Sequence, residues 1–217
     1  MFTDSKLTRI GDPAVEPISL DEAKQYCRVE IDDDDGLIGD LITAARLEVE
    51  ARHNTSLLTT DWQYTLDHFP PGGQQFQSVL PAIAFGSGYL GTQWRGLAEF
   101  AVRLPMGPVN AVQAIEYVDG SGVVRNLPLS AVSMSGGMPC EITPAFGRVW
   151  PLTLPVKGAV NIYYTAGYGL NATDVPANLR AAIKLLVAHY YEHRTDDAAE
   201  PAAIDRLINA TAVRGYR

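Results

Sequence analysis

Residues 18–58, ISLDEAKQYCRVEIDDDDGLIGDLITAARLEVEARHNTSLL, decide the fold class. Ser19 stands before Leu20, Asp21 and Glu22, the spacing of a capping box. The hydroxyl and the carboxylate can each satisfy an orphan backbone N–H at a helix start. The spacing predicts a short helix from Leu20 to about Arg28. The acidic run Asp32, Asp33, Asp34, Asp35 then precedes Gly36 and a segment of 3.6-residue period. Leu37, Leu41 and Ala45 share a face with Ile38, Ile42 and Val49, which predicts a second helix from about Asp34 to His53. Four carboxylates at its start complement the positive end of the helix dipole.

Downstream the period changes from 3.6 to 2. Trp62, Tyr64 and Leu66 alternate with Gln63, Thr65 and Asp67, and Phe100, Val102 and Leu104 alternate up to Pro105. Val112 to Val118 reads as a strand, Asp119 to Gly122 as a turn, and Val123 to Leu127 as the return strand of a hairpin. Val160, Ile162 and Tyr164 alternate before a loop holding Gly167 and Gly169. Residues 59–170 thus read as an antiparallel β module of about six short strands. Within it, residues 70–96 are rich in Pro, Gly, Gln and Ser, yet carry Phe76, Phe85, Tyr89 and Trp94. So long a loop is uncommon in a compact domain. Two readings stand: a hairpin lying on its own domain, or an arm that packs against a neighbouring subunit.

Residues 171–217 return to helix. Asp174, Val175 and Pro176 start it, and Leu179, Ile183, Leu186, Val187 and Tyr190 form an apolar stripe. After a polar break at Thr195 to Glu200, Pro201 opens a last helix with Ile204, Leu207 and Ile208 at i, i+3 and i+4. Val213, Tyr216 and Arg217 extend it. The stripe suits docking into a partner's groove, with Tyr and Arg as anchors; the alternative is a helix that caps its own core. The one-sided helices at the two ends of the chain cannot bury their stripes alone. The expected fold is therefore α+β: a helical bundle formed by residues 1–58 and 171–217, with the β module of 59–170 inserted.

The composition narrows the function. The chain has 217 residues, 47% hydrophobic and 19% charged, which is the balance of a globular protein. A net charge of −8 argues against a protein that grips nucleic-acid phosphates, while an acidic wall would let a duplex pass without sticking. No apolar run reaches the roughly 18 residues that span a bilayer, so no membrane is expected. The stretch MFTDSKLTRIGDP lacks the apolar core of a signal peptide, so the product is expected to stay in the compartment where it is made. Two cysteines, Cys27 and Cys140, form no disulfide framework or metal pattern.

Catalytic patterns fail one by one. His189, Tyr190, Tyr191, Glu192 and His193 match the H-x-x-E-H zinc signature. The third ligand is missing, since only 24 residues follow His193 and Glu200 lies too near across a break. The run Asp32 to Asp35 fails as a calcium loop: with Gly36 at position 6, Ile31 and Ile42 occupy ligand positions 1 and 12. Gly167 and Gly169 do not complete a G-x-G-x-x-G loop, because Ala172 stands at its last place. No nucleophile–base–acid set occurs. The expectation is a protein without catalytic residues, metal or cofactor.

The order of segments carries a resemblance. ISLDEAKQYCRVE, an acidic turn, LIGDLITAARLEVEARHNTSLL and WQYTLDHFP resemble the opening of the head–tail connector, or adaptor, family of tailed bacteriophages and phage-like particles. VRLPMGPVNAVQAIEYVDGSG resembles that family's strand, Pro-x-x-Pro-Val, strand and Tyr-x-Asp-x-x-Gly stretch. VNIYYTAGYG, VPANLRAAIKLLVAHYYEHR and a final helix ending in Tyr-Arg resemble its close. The insertion at 70–96 departs from the pattern.

The resemblance implies a structural virion protein at the neck, the head–tail interface, assembled in the host cytoplasm. It implies self-association in a ring of about a dozen copies beneath the portal protein, with stopper or tail-completion proteins docking below. DNA would pass through the channel without sequence-specific binding. The candidate portal or subunit interface is then Ile204, Leu207, Ile208, Val213, Tyr216 and Arg217, and the candidate inter-subunit arm is Phe76, Phe85, Tyr89 and Trp94. The alternatives are another neck or tail component, a stopper or tail terminator, or a β-type module that binds a ligand through Tyr89 and Trp94.

Overall fold

The Ser19–Glu22 capping box closes in both directions: Glu22 N–H donates to Ser19 Oγ at 3.1 Å, and Ser19 N–H donates to Glu22 Oε2 at 3.1 Å. It opens α1, Leu20–Cys27, which ends at Arg28 in the left-handed conformation (φ 57°). The same device ends α2, Asp35–His53, at Asn54 (φ 51°). The computed structural model describes residues 5–70, 100–136, 138–193 and 199–211. Two further helices follow, α3 over Ala177–Glu192 and α4 over Ala203–Thr211. The chain divides into two units, one of sheet and one of helix.

The helical unit comprises residues 11–60, 106–108 and 166–217. Its core joins both ends of the chain: Ile38, Ile42, Ala45 and Val49 of α2 are buried with Leu179, Ile183, Leu186 and Val187 of α3. The α2 stripe sits a little round from the expected face. Leu37 is exposed and Leu41 only half-buried, while Arg46 and Glu50 are buried in their stead. That is possible because the two charges satisfy each other: Arg46 Nη1 donates to Glu50 Oε2 at 3.3 Å. Glu50 Oε1 also accepts Leu57 N–H at 2.9 Å, and Arg46 Nε donates to Glu16 Oε2 at 2.8 Å.

The acidic run stands as a helix entrance with named partners. Lys24 Nζ donates to Asp32 Oδ1 at 2.6 Å and Asp35 Oδ1 at 2.7 Å, tying the start of α2 to α1. Tyr191 Oη donates to Asp34 Oδ2 at 2.6 Å. The hydrogen bond to Asp32, then that to Asp35, raises the Lys24 pKa. The glycine loop is packing rather than phosphate binding. Gly167 has φ 144°, and a Cβ there would lie 2.4 Å from the Leu58 carbonyl carbon, so only glycine lets the two backbones touch.

The β unit comprises residues 1–10, 61–105 and 109–165. Its strands are β1 Ser5–Ile10, β2 Thr60–Leu66, β3 Val102–Leu104, β4 Val109–Val118, β5 Val124–Asn126, β6 Val132–Met134, β7 Cys140–Pro144 and β8 Val160–Ala166. A five-stranded sheet has the order β1-β2-β8-β4-β5, and a three-stranded sheet the order β3-β7-β6. The β1/β2, β4/β5, β3/β7 and β6/β7 ladders are antiparallel. Residues 1–58 therefore are not wholly helical. Ser5–Ile10 pairs with β2, Ser5 opposite Leu66 and Ile10 opposite Asp61. Its alternation of Leu7 with polar residues is too short to stand out without its partner strand.

On β8 the period-2 pattern is strict, with Val160, Ile162, Tyr164 and Ala166 fully buried. Tyr164 Oη donates to the Pro105 carbonyl at 2.7 Å, and burial pushes its pKa up. Phe69 stacks on Trp150 with centroids 4.5 Å apart, and Trp150 Nε1 donates to the Phe100 carbonyl at 2.8 Å. The hairpin turn is held by one carboxylate. Asp119 Oδ1 accepts from Ser121 N at 2.9 Å, Ser121 Oγ at 2.5 Å and Val123 N at 3.0 Å, and Oδ2 accepts Arg125 Nε at 2.8 Å.

Candidate assembly surfaces

The last helix buries its apolar stripe within the helical unit. Ile204 and Ile208 are buried in the core with α3, and Leu207 is half-buried. Asn178 Nδ2 donates to the Leu207 carbonyl at 2.7 Å, and Arg52 donates to Glu200 at 2.7 and 2.8 Å and to Asp205 at 3.3 Å. This corrects the expectation that Ile204, Leu207 and Ile208 form an open docking stripe. A short amphipathic helix is marginal alone, and the groove that shelters it belongs to the same chain. Val213, Tyr216 and Arg217 lie outside the described residues, as do Phe76, Phe85, Tyr89 and Trp94.

The histidine string sits at the end of α3. The His189 and His193 rings are tilted, with centroids 4.9 Å apart, and His193 N–H closes the helix on the His189 carbonyl at 3.0 Å. Among the described residues no group of three His, Cys, Asp or Glu side chains could hold a metal ion. His189, Glu192 and His193 instead line a pocket of about 590 Å³ with Tyr26, Cys27, Arg28 and Leu185. Burial, reinforced by the Glu192 carboxylate, pushes the Cys27 thiol pKa up. That is the opposite of what an activated thiolate needs.

Sequence reading missed the exposed apolar groups of the β unit. Phe146 is fully exposed, Leu152 71% and Val124 64%. Phe146 stands in the turn Ala145-Phe146-Gly147-Arg148, where Arg148 N–H donates to the Ala145 carbonyl at 2.9 Å and Gly147 has φ 74°. An aromatic before a turn glycine was the one local signal of this. In the helical unit Leu170 is 73% and Ile31 58% exposed.

Charge is divided unevenly. Among the described residues the helical unit has sixteen acidic and seven basic side chains and the β unit five and six, so the described negative charge falls on the helical unit. Among the described residues no helix is long and apolar enough to cross a membrane.

Residues 17–83 match the family described as phage gp6-like head-tail connector protein. No curated protein matches the chain. Three solved structures are similar over nearly its full length. A chain in the virion of a native gene transfer agent particle has 23% identity and a TM-score of 0.70, covering 94% of this chain and 93% of its own. A chain in the neck of the empty particle, computed with C6 symmetry, has 23% identity and a TM-score of 0.68, covering 93% and 94%. A chain in the neck of the native particle, computed with C12 symmetry, has 24% identity and a TM-score of 0.63, again covering 93% and 94%. The resemblance read from the order of segments thus holds: residues 17–83 carry the pattern of the phage gp6-like head-tail connector family, and nearly the whole chain has the fold of a gene transfer agent neck component.

Proposed function

We propose that this chain is a structural head–tail connector of the adaptor type, located in the neck of a phage or phage-like particle. One observation carries the reading. The connector family pattern falls on residues 17–83, which include α1 and α2, and these helices supply the core against which the C-terminal helices pack. In this role the chain forms a ring of about a dozen copies beneath the portal protein, consistent with cyclic assembly through unlike surfaces. The ring continues the DNA channel and receives stopper or tail-completion proteins below. DNA passes without sequence-specific binding, in keeping with a net charge of −8. The chain acts as a scaffold and not as an enzyme.

The arm residues Phe76, Phe85, Tyr89 and Trp94 are proposed to pack on a neighbouring subunit, and Val213, Tyr216 and Arg217 to reach the portal. Both assignments rest on residue type and position in the sequence. Particles assembled without the chain test the role. DNA-filled heads lacking tails are expected, and the purified chain is expected to bind portal rings. Fully tailed particles would overturn the proposal. Binding to heads only after another neck protein had been added would move the chain to the stopper or terminator position.

A further inference from the structure

β1 is an edge strand of the five-stranded sheet, and none of its six side chains is buried. Its ladder with β2 runs over all six residues, from Ser5 opposite Leu66 to Ile10 opposite Asp61. One side-chain contact marks the register: the Arg9 guanidinium lies 4.7 Å from the centre of the ring of Trp62, its Cα partner. Charge fits as well. β1 carries Lys6 and Arg9 and no acid, and β2 carries Asp61 and no base.

The chain after β1 is built as a hinge. It leaves the β unit at Ile10 and enters the helical unit at Gly11. Residues 11–15 form neither helix nor strand, and Gly11, Asp12, Ala14 and Val15 are exposed. Gly11 has φ 81° with open space around it, and Pro13 holds the residue before it to extended backbone. The chain is fixed again at Glu16, whose carboxylate accepts Thr43 Oγ1 at 3.1 Å and Arg46 Nε at 2.8 Å, and at Ile18, which is buried. Five hinge residues reach about 17 Å when extended. A strand on such a tether can pair with β2 of its own chain or, in the same register, with β2 of a second copy. The contacts are the same in both cases, so the exchange is a low-cost route to association.

We propose that in the assembled ring β1 of one copy pairs with β2 of the next, so that each copy gives one strand and receives one. The inference rests on the connector reading above. The β2 edge is matched in register, charge and the Arg9–Trp62 contact by residues 5–10 of this same chain, so a second copy is its occupant. A cyclic ring requires a head-to-tail contact between two different patches of one chain, and β1 and the β2 edge are such a pair. The ring also holds neighbours at a high local concentration, which favours the exchange there over the dilute chain. A strand from the portal or a stopper on the same edge is an outcome of the test.

Thr8 and Gln63 are Cα partners in the ladder. Directly opposed cross-strand residues have Cβ atoms about 4.5–5.5 Å apart, near enough for a disulfide after a small movement. The chain carrying Thr8→Cys with Gln63→Cys is oxidised mildly, both purified and within particles, and run on a non-reducing denaturing gel beside the parent, which has only Cys27 and Cys140. Peptide mapping identifies the bond. The dilute purified chain is expected to give an intrachain bond, and particles a ladder of covalent multimers of this chain. Thr8→Cys alone should give no ladder. Lys6→Cys with Thr65→Cys, a second opposed pair, should repeat the result and guards against a distortion local to Thr8. Rings visible by microscopy that yield only intrachain bonds would overturn the exchange and leave the connector reading standing. So would rings that yield no bond from either pair, a ladder that does not need Gln63→Cys, or a bond to a different protein. Particles whose neck has no ring of this chain would overturn the connector reading itself.

Discussion

Glu22 receives the guanidinium of Arg180 on both carboxylate oxygens, at 2.8 and 3.1 Å, while the same carboxylate closes the capping box of α1. One side chain thus starts a helix and ties it to α3, 158 residues further on. Lys184 adds a third contact at 3.2 Å, and Arg180 Nε donates to the Pro17 carbonyl at 3.0 Å. Burial alone would raise the Glu22 pKa, but the Ser19 N–H, Lys184 and Arg180 outweigh it and hold the carboxyl below its usual value. A depressed carboxylate contributes stability that is present above its unfolded pKa and is lost as pH falls through the folded one. Glu22→Gln is expected to cost about 1 kcal/mol at neutral pH. The difference from the parent should shrink in urea titrations repeated below about pH 4. An equal gap at both pH values would contradict this.

Arg46 and Glu50 are both buried, and Glu50 also holds Leu57 N–H. Removing one partner of a buried pair leaves an uncompensated charge, at a cost of about 3–5 kcal/mol. Arg46→Leu is therefore expected to lower the denaturation midpoint strongly. Replacing Arg46 and Glu50 together by apolar residues should recover much of the loss. A single variant as stable as the parent would show that water reaches the pair.

Ile208 is buried in the helical core although it stands near the end of the described chain. Ile208→Ala is expected to destabilise by about 2–4 kcal/mol, the range for a large-to-small change in a packed core. Thermal melting of the purified chain measures it. A melting temperature equal to the parent's would mean that α4 is detached in solution, and would return its stripe to the surface.

Gly167 meets the Leu58 backbone so closely that any Cβ must displace main chain. Gly167→Ala is expected to cost more than the roughly 1 kcal/mol of an ordinary unsuitable glycine replacement, since its φ of 144° also disfavours an L residue. Low soluble yield and an early melt are the expected readouts. Gly11→Ala, which has open space around the added methyl but a φ of 81°, separates backbone strain from the clash.

What the sequence determined by itself was local. The capping box at Ser19 and Glu22, the periodic stripe of α3, the alternation on β8 and the Asp119 turn all act between residues a few positions apart, and each formed as expected, while the α2 helix formed with its buried stripe turned a little from the expected face. The order of these elements also sufficed for the connector resemblance. Tertiary structure alone decided the rest. Ser5–Ile10 became a strand because β2 offered it an edge. Arg46 and Glu50 took places in the core because Glu16, 30 positions before Arg46, and the Leu57 N–H complete their pairing. The α4 stripe closed onto its own unit, Gly167 met Leu58, and Phe146 was left outside. Where these contacts form, the decisive energy comes from groups outside the local pattern, so a local pattern records that a side chain needs a partner, and only the folded chain supplies which partner it has.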